Sequence, residues 1–463
     1  MNVIRRACRN GKIAVVRGSR VRSQVWSRIA AGWVAVAACW LVSATPARAV
    51  VEVHWWHAMA GELGRVLERL AAEFNGQQRE YKIVPVYKGA YTETMTAALF
   101  ALRTGQQPAI VQVNEVATAT MMASKGAIYP VYELMREAKE GFDPAAYLPA
   151  IAGYYADVDG NMLSFPFNAS TPILYYNKDQ FRLAGLDPEA PPKTWPEVEV
   201  VTRKLRAAGV PCGFTTHWPS WIHIENLSAF HNVPIATKAN GFGGLDTELL
   251  IDNPLIVRHL GALVEWQKSR SFDYGGRAAA AEPKFYGSQC GIFIGSSATR
   301  ADILANAKFE VGFGMLPYWP DVAGAPQNSI IGGATLWVLR GRTAEEYKGA
   351  ARFFAYLSRP GVQAWWHQET GYLPITRASY ELTRAHGFYD RNPGADIPIK
   401  QLTLKAPTEN SKGLRLGSFV LVRSVLEEEL ELALGGKKTA RAAVESAVKR
   451  GNDLLRRFEQ ANR

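Results

Sequence analysis

From Val51 onward, short β-branched runs alternate with segments whose apolar residues recur every three to four positions. That is the pattern of an α/β chain built on a largely parallel sheet. Val51 to Trp56 predicts a first strand. Leu63, Val66, Leu67, Leu70 and Phe74 then fall at i, i+3, i+4, i+7 and i+11, which predicts a helix with one apolar face. Tyr81 to Tyr87 predicts a second strand, Thr94 to Thr104 a second helix, and Ala109 to Val113 a third strand. In such units ligands settle at the carboxyl ends of strands, so the segments that follow these runs are the first places to look for function.

The composition changes at Phe165 to Pro172, ahead of a strand over Ile173 to Tyr176. Pro188, Pro191 and Pro192 then lead into a helix from about Pro196 to Ala208, and prolines around a short polar run suit a rigid crossover between domains. A second crossing is expected at Ser329 to Ala334, where Gly332 and Gly333 permit an unusual backbone path. Repeated crossing would leave neither domain contiguous. At the far end Val444, Val448, Leu455 and Phe458 predict a packed amphipathic helix whose Lys449, Arg450, Arg456 and Arg457 form a solvated face.

Charge changes the picture only at the start of the chain. The 463 residues carry a formal +11, but residues 1–49 hold nine basic and no acidic side chains, so the remainder is 11 − 9 = +2. A nearly neutral body is not a nucleic-acid binder by charge. The same stretch has an uncharged run from Ile29 to Ala47 and ends in Ala47-Arg48-Ala49, the small-x-small pattern of a signal-peptidase site, predicting export with cleavage after Ala49. Ser43, Thr45 and Pro46 break the run, which disfavours a permanent anchor. Val36-Ala37-Ala38-Cys39 resembles a lipoprotein box and keeps lipidation at Cys39 open as a cell-envelope form. Export leaves Cys212 and Cys290, either as a disulfide or as two buried thiols.

No nucleophile elbow, phosphate loop or H-E-x-x-H helix is present, so an enzyme is not expected. His54 and His57 are three apart, while His217, His223 and His231 gather loosely around Trp218 and Trp221. These spacings match no common zinc pattern, and no metal or cofactor is expected. Tryptophans beside prolines or other aromatics, among them Trp195, Trp218 and Trp221, are suited to sugar or polyol faces as well as to a core. Arg423 stands out in an otherwise apolar or small run, Gly417 to Leu426. A buried guanidinium requires a partner: either Glu427 one turn on, or an anionic ligand held by its planar fork.

Several segments taken in order resemble a known family. These are Lys88 to Tyr91, Gln112 to Glu115, Ala117 to Lys125, Pro166 to Pro172, Asn328 to Ala334, Thr370 to Thr376 and Lys412 to Gly417. The sequence is similar to the periplasmic sn-glycerol-3-phosphate-binding proteins of bacterial ABC importers, solute-binding proteins of the maltose-binding-protein-like class. The likeness runs from about Val53 to Phe458. It implies a two-lobed periplasmic-binding-protein fold with a hinge, residues 50–168 plus about 334–378 forming one lobe and 169–333 plus about 379–463 the other. It implies a monomer that captures sn-glycerol 3-phosphate and glycerophosphodiesters such as glycerophosphocholine and delivers them to permease subunits and their ATPase.

The family's binding positions fall on Tyr91, Glu115, Ser170, Ser296, Gly333, Tyr372 and Arg423, with Trp195 as a pocket aromatic and Trp218 and Trp221 as further candidates. In that frame Arg423, the Ser296 and Tyr372 hydroxyls and the Gly333 N–H suit a phosphate. Glu115 suits glycerol hydroxyls at the end away from the phosphate, because like charges repel. Ser296 and Ser297 are interchangeable at this level. An uncharged oligosaccharide stacked on tryptophans is the alternative ligand for the same fold.

Overall fold

The computed structural model describes residues 49–124 and 126–463, so the export leader and the lipidation reading at Cys39 lie outside the described residues. Among the described residues, ten strands form two sheets. They are β1 (Val51–His57), β2 (Tyr81–Tyr87), β3 (Ile110–Asn114), β4 (Ile128–Tyr129), β5 (Phe165–Ser170), β6 (Pro172–Asn177), β7 (Cys212–Thr216), β8 (Cys290–Ser296), β9 (Val311–Gly314) and β10 (Gly332–Leu339). The first sheet runs β2-β1-β3-β10-β4 with β5 also on β10, and the second runs β7-β8-β6-β9.

The expectation of a largely parallel sheet is corrected. Only β1 with β2, β1 with β3, and β7 with β8 pair in parallel. Strand β10 runs antiparallel to β3, β4 and β5, because it enters the first sheet from the second rather than through a helical crossover. Pro85 fits within β2 because β2 is an edge strand whose one neighbour is β1.

The chain passes from the first sheet to the second between Ser170 and Pro172, a one-residue step, and returns between Gly314 and Gly332. The proline-flanked run at 188–192 lies between two helices on the second-sheet side, so its prolines stiffen a local loop and not the crossover. The helix it precedes, Trp195–Ala207, opens with a capping box. Thr194 Oγ1 accepts the Glu197 N–H at 3.3 Å, and the Glu197 carboxylate accepts the Thr194 N–H at 3.2 Å.

Each sheet has its own core. Helix Gly61–Gln77 buries Val66, Leu67, Leu70 and Phe74 against Val53, Trp55 and Ile83, as the spacing predicted, each side chain adding about 1.5 to 3 kcal/mol. The second core gathers Leu174, Phe214, Ile292, Trp266, Phe419, Leu426 and Leu455. The C-terminal helix Ala440–Asn462 packs there through Val444, Ala447, Gly451 and Leu455. Two of its basic residues reach glutamates on other elements, Arg450 to Glu428 and Glu429 and Arg456 to Glu248, while Lys449 and Arg457 stay exposed on the solvated face. Cys212 and Cys290, opposite one another on β7 and β8, are joined by a disulfide.

Candidate ligand-binding cleft

A cleft of about 450 Å³ opens between the two sheets, lined from both sides. The side of the first sheet contributes Tyr91 at the start of helix Tyr91–Thr104, Glu115 just past β3, Ser170 at the end of β5, Gly332 and Gly333 at the start of β10, and Tyr372. The second contributes Trp218, Trp221, Ser296 at the end of β8, and Arg423 on helix Phe419–Leu434. Most of these positions lie at strand ends, where βα topology leaves backbone and side chains free to face a ligand. The lips meet where the Glu62 N–H donates to Asp302 Oδ1 at 3.3 Å.

The cleft floor is charged and buried. Arg423 is 7% exposed. Its Nε and Nη2 donate to the Glu225 carboxylate at 2.8 and 2.7 Å, and Nη2 also donates to Glu115 Oε1 at 3.0 Å. Glu427, the nearest acidic residue in sequence on that helix, instead accepts from Ser220 Oγ at 3.3 Å, because its side chain leaves the helix on the Ser220 side. Thus neither the helical partner nor a ligand alone accounts for Arg423: its first partner is Glu225, 198 residues away. Burial lowers the guanidinium's pKa, but the fields of Glu225 and Glu115 outweigh it and leave the group raised and firmly charged. Glu115 is pushed upward, chiefly by burial, with Arg423 opposing.

The resemblance sets Glu115 at the end of the ligand away from the phosphate; in the structure it shares the Arg423 guanidinium with Glu225. Glu115 sits directly on Arg423 because a carboxylate with 4% exposure needs a counter-charge more than it avoids a future anion.

Trp195 is a second correction. It is 2% exposed and does not line the cleft. Its ring lies 4.6 Å from that of His259 and 5.9 Å from that of Trp266, inside the second core. It is the first helical residue after the capping box, a position that turns its side chain onto the sheet. Trp218, Trp221 and Tyr91 do line the cleft, with the Tyr91 and Trp218 rings 6.5 Å apart across the opening. Trp218 holds φ +43°, a left-handed conformation uncommon for a bulky residue, just ahead of a wide π-helical turn over Trp221–Asn226. Strain and π-type turns of this kind collect at functional sites. The same turn carries Glu225.

Gly333 is required for a reason beyond ligand approach. Its φ is +98°, and a Cβ there would fall 1.9 Å from the Asn168 carbonyl oxygen, where the β10 to β5 register slips between Ala334 and Thr335. Between the paired serines, Ser296 lines the cleft, whereas Ser297 is 1% exposed and its N–H donates to the Thr171 carbonyl. Tyr91 receives the Asn168 side-chain amide at 3.2 Å, and burial lifts its pKa to about 12, so its hydroxyl stays a proton donor. Tyr372, stacked on Trp366 at 5.9 Å, is raised well above the usual tyrosine value, again by burial.

Several residues that shape the cleft lay outside the predicted set. Glu225, buried behind Arg423 and not itself lining the cleft, sits in the largely buried turn Trp221 to Asn226, and reading its charge together with that of Arg423 could have paired them. Glu282 lines the cleft from a short helix, Glu282–Tyr286, with no sequence signal.

A family model described as bacterial extracellular solute-binding protein matches residues 69–395. The sn-glycerol-3-phosphate-binding periplasmic protein UgpB of Yersinia pseudotuberculosis is 52% identical over 418 residues, covering 90% of this chain and 95% of its own. Its counterpart in Salmonella typhimurium is likewise 52% identical over 90% of this chain and 95% of its own. Among solved structures, UgpB from Mycobacterium tuberculosis in complex with glycerophosphocholine has a TM-score of 0.73 at 20% identity, covering 88% of this chain and 98% of that one. Maltose-bound MalE3 from T. maritima has a TM-score of 0.71 at 18% identity, covering 88% of this chain and 100% of that one. At those identities the solved structures show the shared two-lobed fold. The chain belongs to the bacterial extracellular solute-binding proteins.

Proposed function

We propose that this protein is the periplasmic substrate-binding component of an ABC importer, capturing sn-glycerol 3-phosphate and glycerophosphodiesters such as glycerophosphocholine and delivering them to membrane permease subunits. The observation that carries this reading is the Arg423 guanidinium on the cleft floor, in a chain 52% identical to a glycerol-3-phosphate-binding protein. Glu225 fixes the plane of the fork through Nε and Nη2, and Nη1 carries no hydrogen bond to the described residues. A phosphate oxygen takes up Nη1, supported by the Ser170, Ser296, Tyr91 and Tyr372 hydroxyls and the Gly333 N–H. Glu115, held by Arg423 Nη2, accepts from the ligand's hydroxyls. Trp218 and Trp221 cover the carbon skeleton.

Because the ligand touches groups from both lobes, it stabilises the closed state by its differential affinity for that state. In this reading the hinge runs through the two steps between the sheets, at 170–172 and 314–332, with a third lobe limit near 378 in helix Arg377–Ala385. Titration calorimetry with glycerol 3-phosphate, glycerophosphocholine and maltose tests the reading. Affinity of micromolar or better, about 8 kcal/mol, is expected for the first two. Heat from maltose alone would favour the oligosaccharide alternative, for which Trp218 and Trp221 supply the stacking faces.

A further inference from the structure

His217 takes no part in the ligand contacts proposed above, yet it borders the cleft at 1% exposure and is held on both ring nitrogens. Nε2 lies 2.6 Å from the Ser296 backbone nitrogen, and Nδ1 lies 2.7 Å from Glu282 Oε1. A backbone N–H can only donate, so Nε2 carries the lone pair and Nδ1 the proton, which passes to the Glu282 carboxylate as a hydrogen bond. The opposite tautomer would set two donors face to face.

Other contacts complete the grip on this peptide. The Ser296 carbonyl accepts from the Tyr175 hydroxyl at 2.7 Å, and Ser296 Oγ accepts the Ala298 N–H at 3.2 Å, which leaves the serine hydroxyl proton to donate into the cleft. The neighbouring Gly295 makes the approach possible: a Cβ there would meet the Phe293 ring at 2.3 Å and His217 Nε2 at 3.1 Å. The His217 ring itself stands edge-on to Phe293, with centroids 5.1 Å apart.

We propose that His217, held in its Nδ1–H tautomer by Glu282, is a positioning residue that fixes the Ser296 hydroxyl for the ligand. This rests on the reading that Ser296 touches the phosphate ester.

The test is a double-mutant cycle read by calorimetry with glycerol 3-phosphate on wild type, His217→Leu, Ser296→Ala and the double variant, with nitrogen NMR of the wild-type imidazole alongside. His217→Leu is expected to weaken binding by about tenfold or more, and by less than about threefold when Ser296 is already alanine. His217→Gln, whose amide oxygen reaches the Nε2 position, is expected to recover to within about threefold of wild type, which a purely volume-filling role would not require. The NMR spectrum is expected to show the proton on Nδ1 without any ligand. Equal losses from His217→Leu in both serine backgrounds, or a proton on Nε2, would overturn the positioning role while leaving the ligand reading intact. Failure of wild type to bind glycerol 3-phosphate or glycerophosphocholine would overturn the ligand reading, and this role with it. If His217→Leu does not fold, Glu282→Leu carries the same cycle, because losing the carboxylate frees the tautomer.

Discussion

Arg423 and its carboxylates lie on the cleft floor, whereas His223, His231 and His259 lie deeper in the second lobe around Trp319, and the two groups meet burial in opposite ways. The first remains ionised, with one guanidinium shared by Glu225 and Glu115. The second is held neutral. Trp319 Nε1 donates to His259 Nδ1 at 3.3 Å, so His259 Nε2 donates to His223 Nδ1 at 2.9 Å. His231 Nε2 accepts the Trp319 N–H at 2.8 Å. Burial lowers His223 to about 3, His231 to about 4 and His259 well below its ordinary value. Charge is retained where it can be presented to a solute, and removed where it would only face a core.

Breaking the ionised group should have the largest effect. Arg423→Leu leaves Glu225 and Glu115 buried without their counter-charge, and a loss of roughly 3 to 5 kcal/mol in unfolding free energy is expected from urea denaturation, together with loss of ligand binding. Adding Glu225→Leu should return part of the stability and none of the binding, since the anion still lacks its fork. A single variant as stable as wild type would show that the ion group is not the linchpin of the floor.

Gly333→Ala isolates geometry from charge at the same cleft. With φ +98° and the Asn168 oxygen in the path of the new methyl group, about 3 kcal/mol or more of destabilisation is expected, with a lower thermal midpoint. An unchanged midpoint would mean that β10 shifts freely at its bulge.

Acid probes the neutral group. Unfolded histidines titrate near 6.5, and the folded values lie lower, so between those limits the unfolded chain binds more protons. The stabilisation is complete above about pH 6.5 and falls as pH drops toward 4 and 3, by ~1.4 kcal/mol per pH unit for each histidine. Denaturation midpoints measured from pH 7 to 4 in wild type and in His223→Phe should show a shallower slope in the variant. Equal slopes would assign the acid lability elsewhere, with His57 and His367, both lowered to about 4 by burial, the next candidates.

The smallest effect on binding is expected at Trp195. Trp195→Phe removes core volume for about 1 to 2 kcal/mol of stability, while ligand affinity stays within about threefold. Trp218→Ala should do the reverse, weakening affinity with little change in midpoint, because Trp218 is half-buried at the cleft lip.

Periodicity alone located the first strands and the helix at 61–77, and the resemblance to a known family brought Tyr91, Glu115, Ser170, Ser296, Gly333, Tyr372 and Arg423 onto one list. The first is a local signal, since an apolar stripe is set by residues four apart, and the second rests on residue identities such as a glycine that must hold φ +98°. What joins distant positions was not legible in the same way. Trp195 beside a proline reads alike whether it faces solute or core, and only the turn of its helix onto the second sheet decides. The pairing of Arg423 with Glu225 and Glu115 spans 198 and 308 residues, and the antiparallel entry of β10 depends on a return from the other sheet. The sequence by itself determined which residues are charged, small or aromatic, since composition is fixed along the chain. Only the tertiary structure decided which of them share a low-dielectric space, and it is there that a charge must find a partner or be given up.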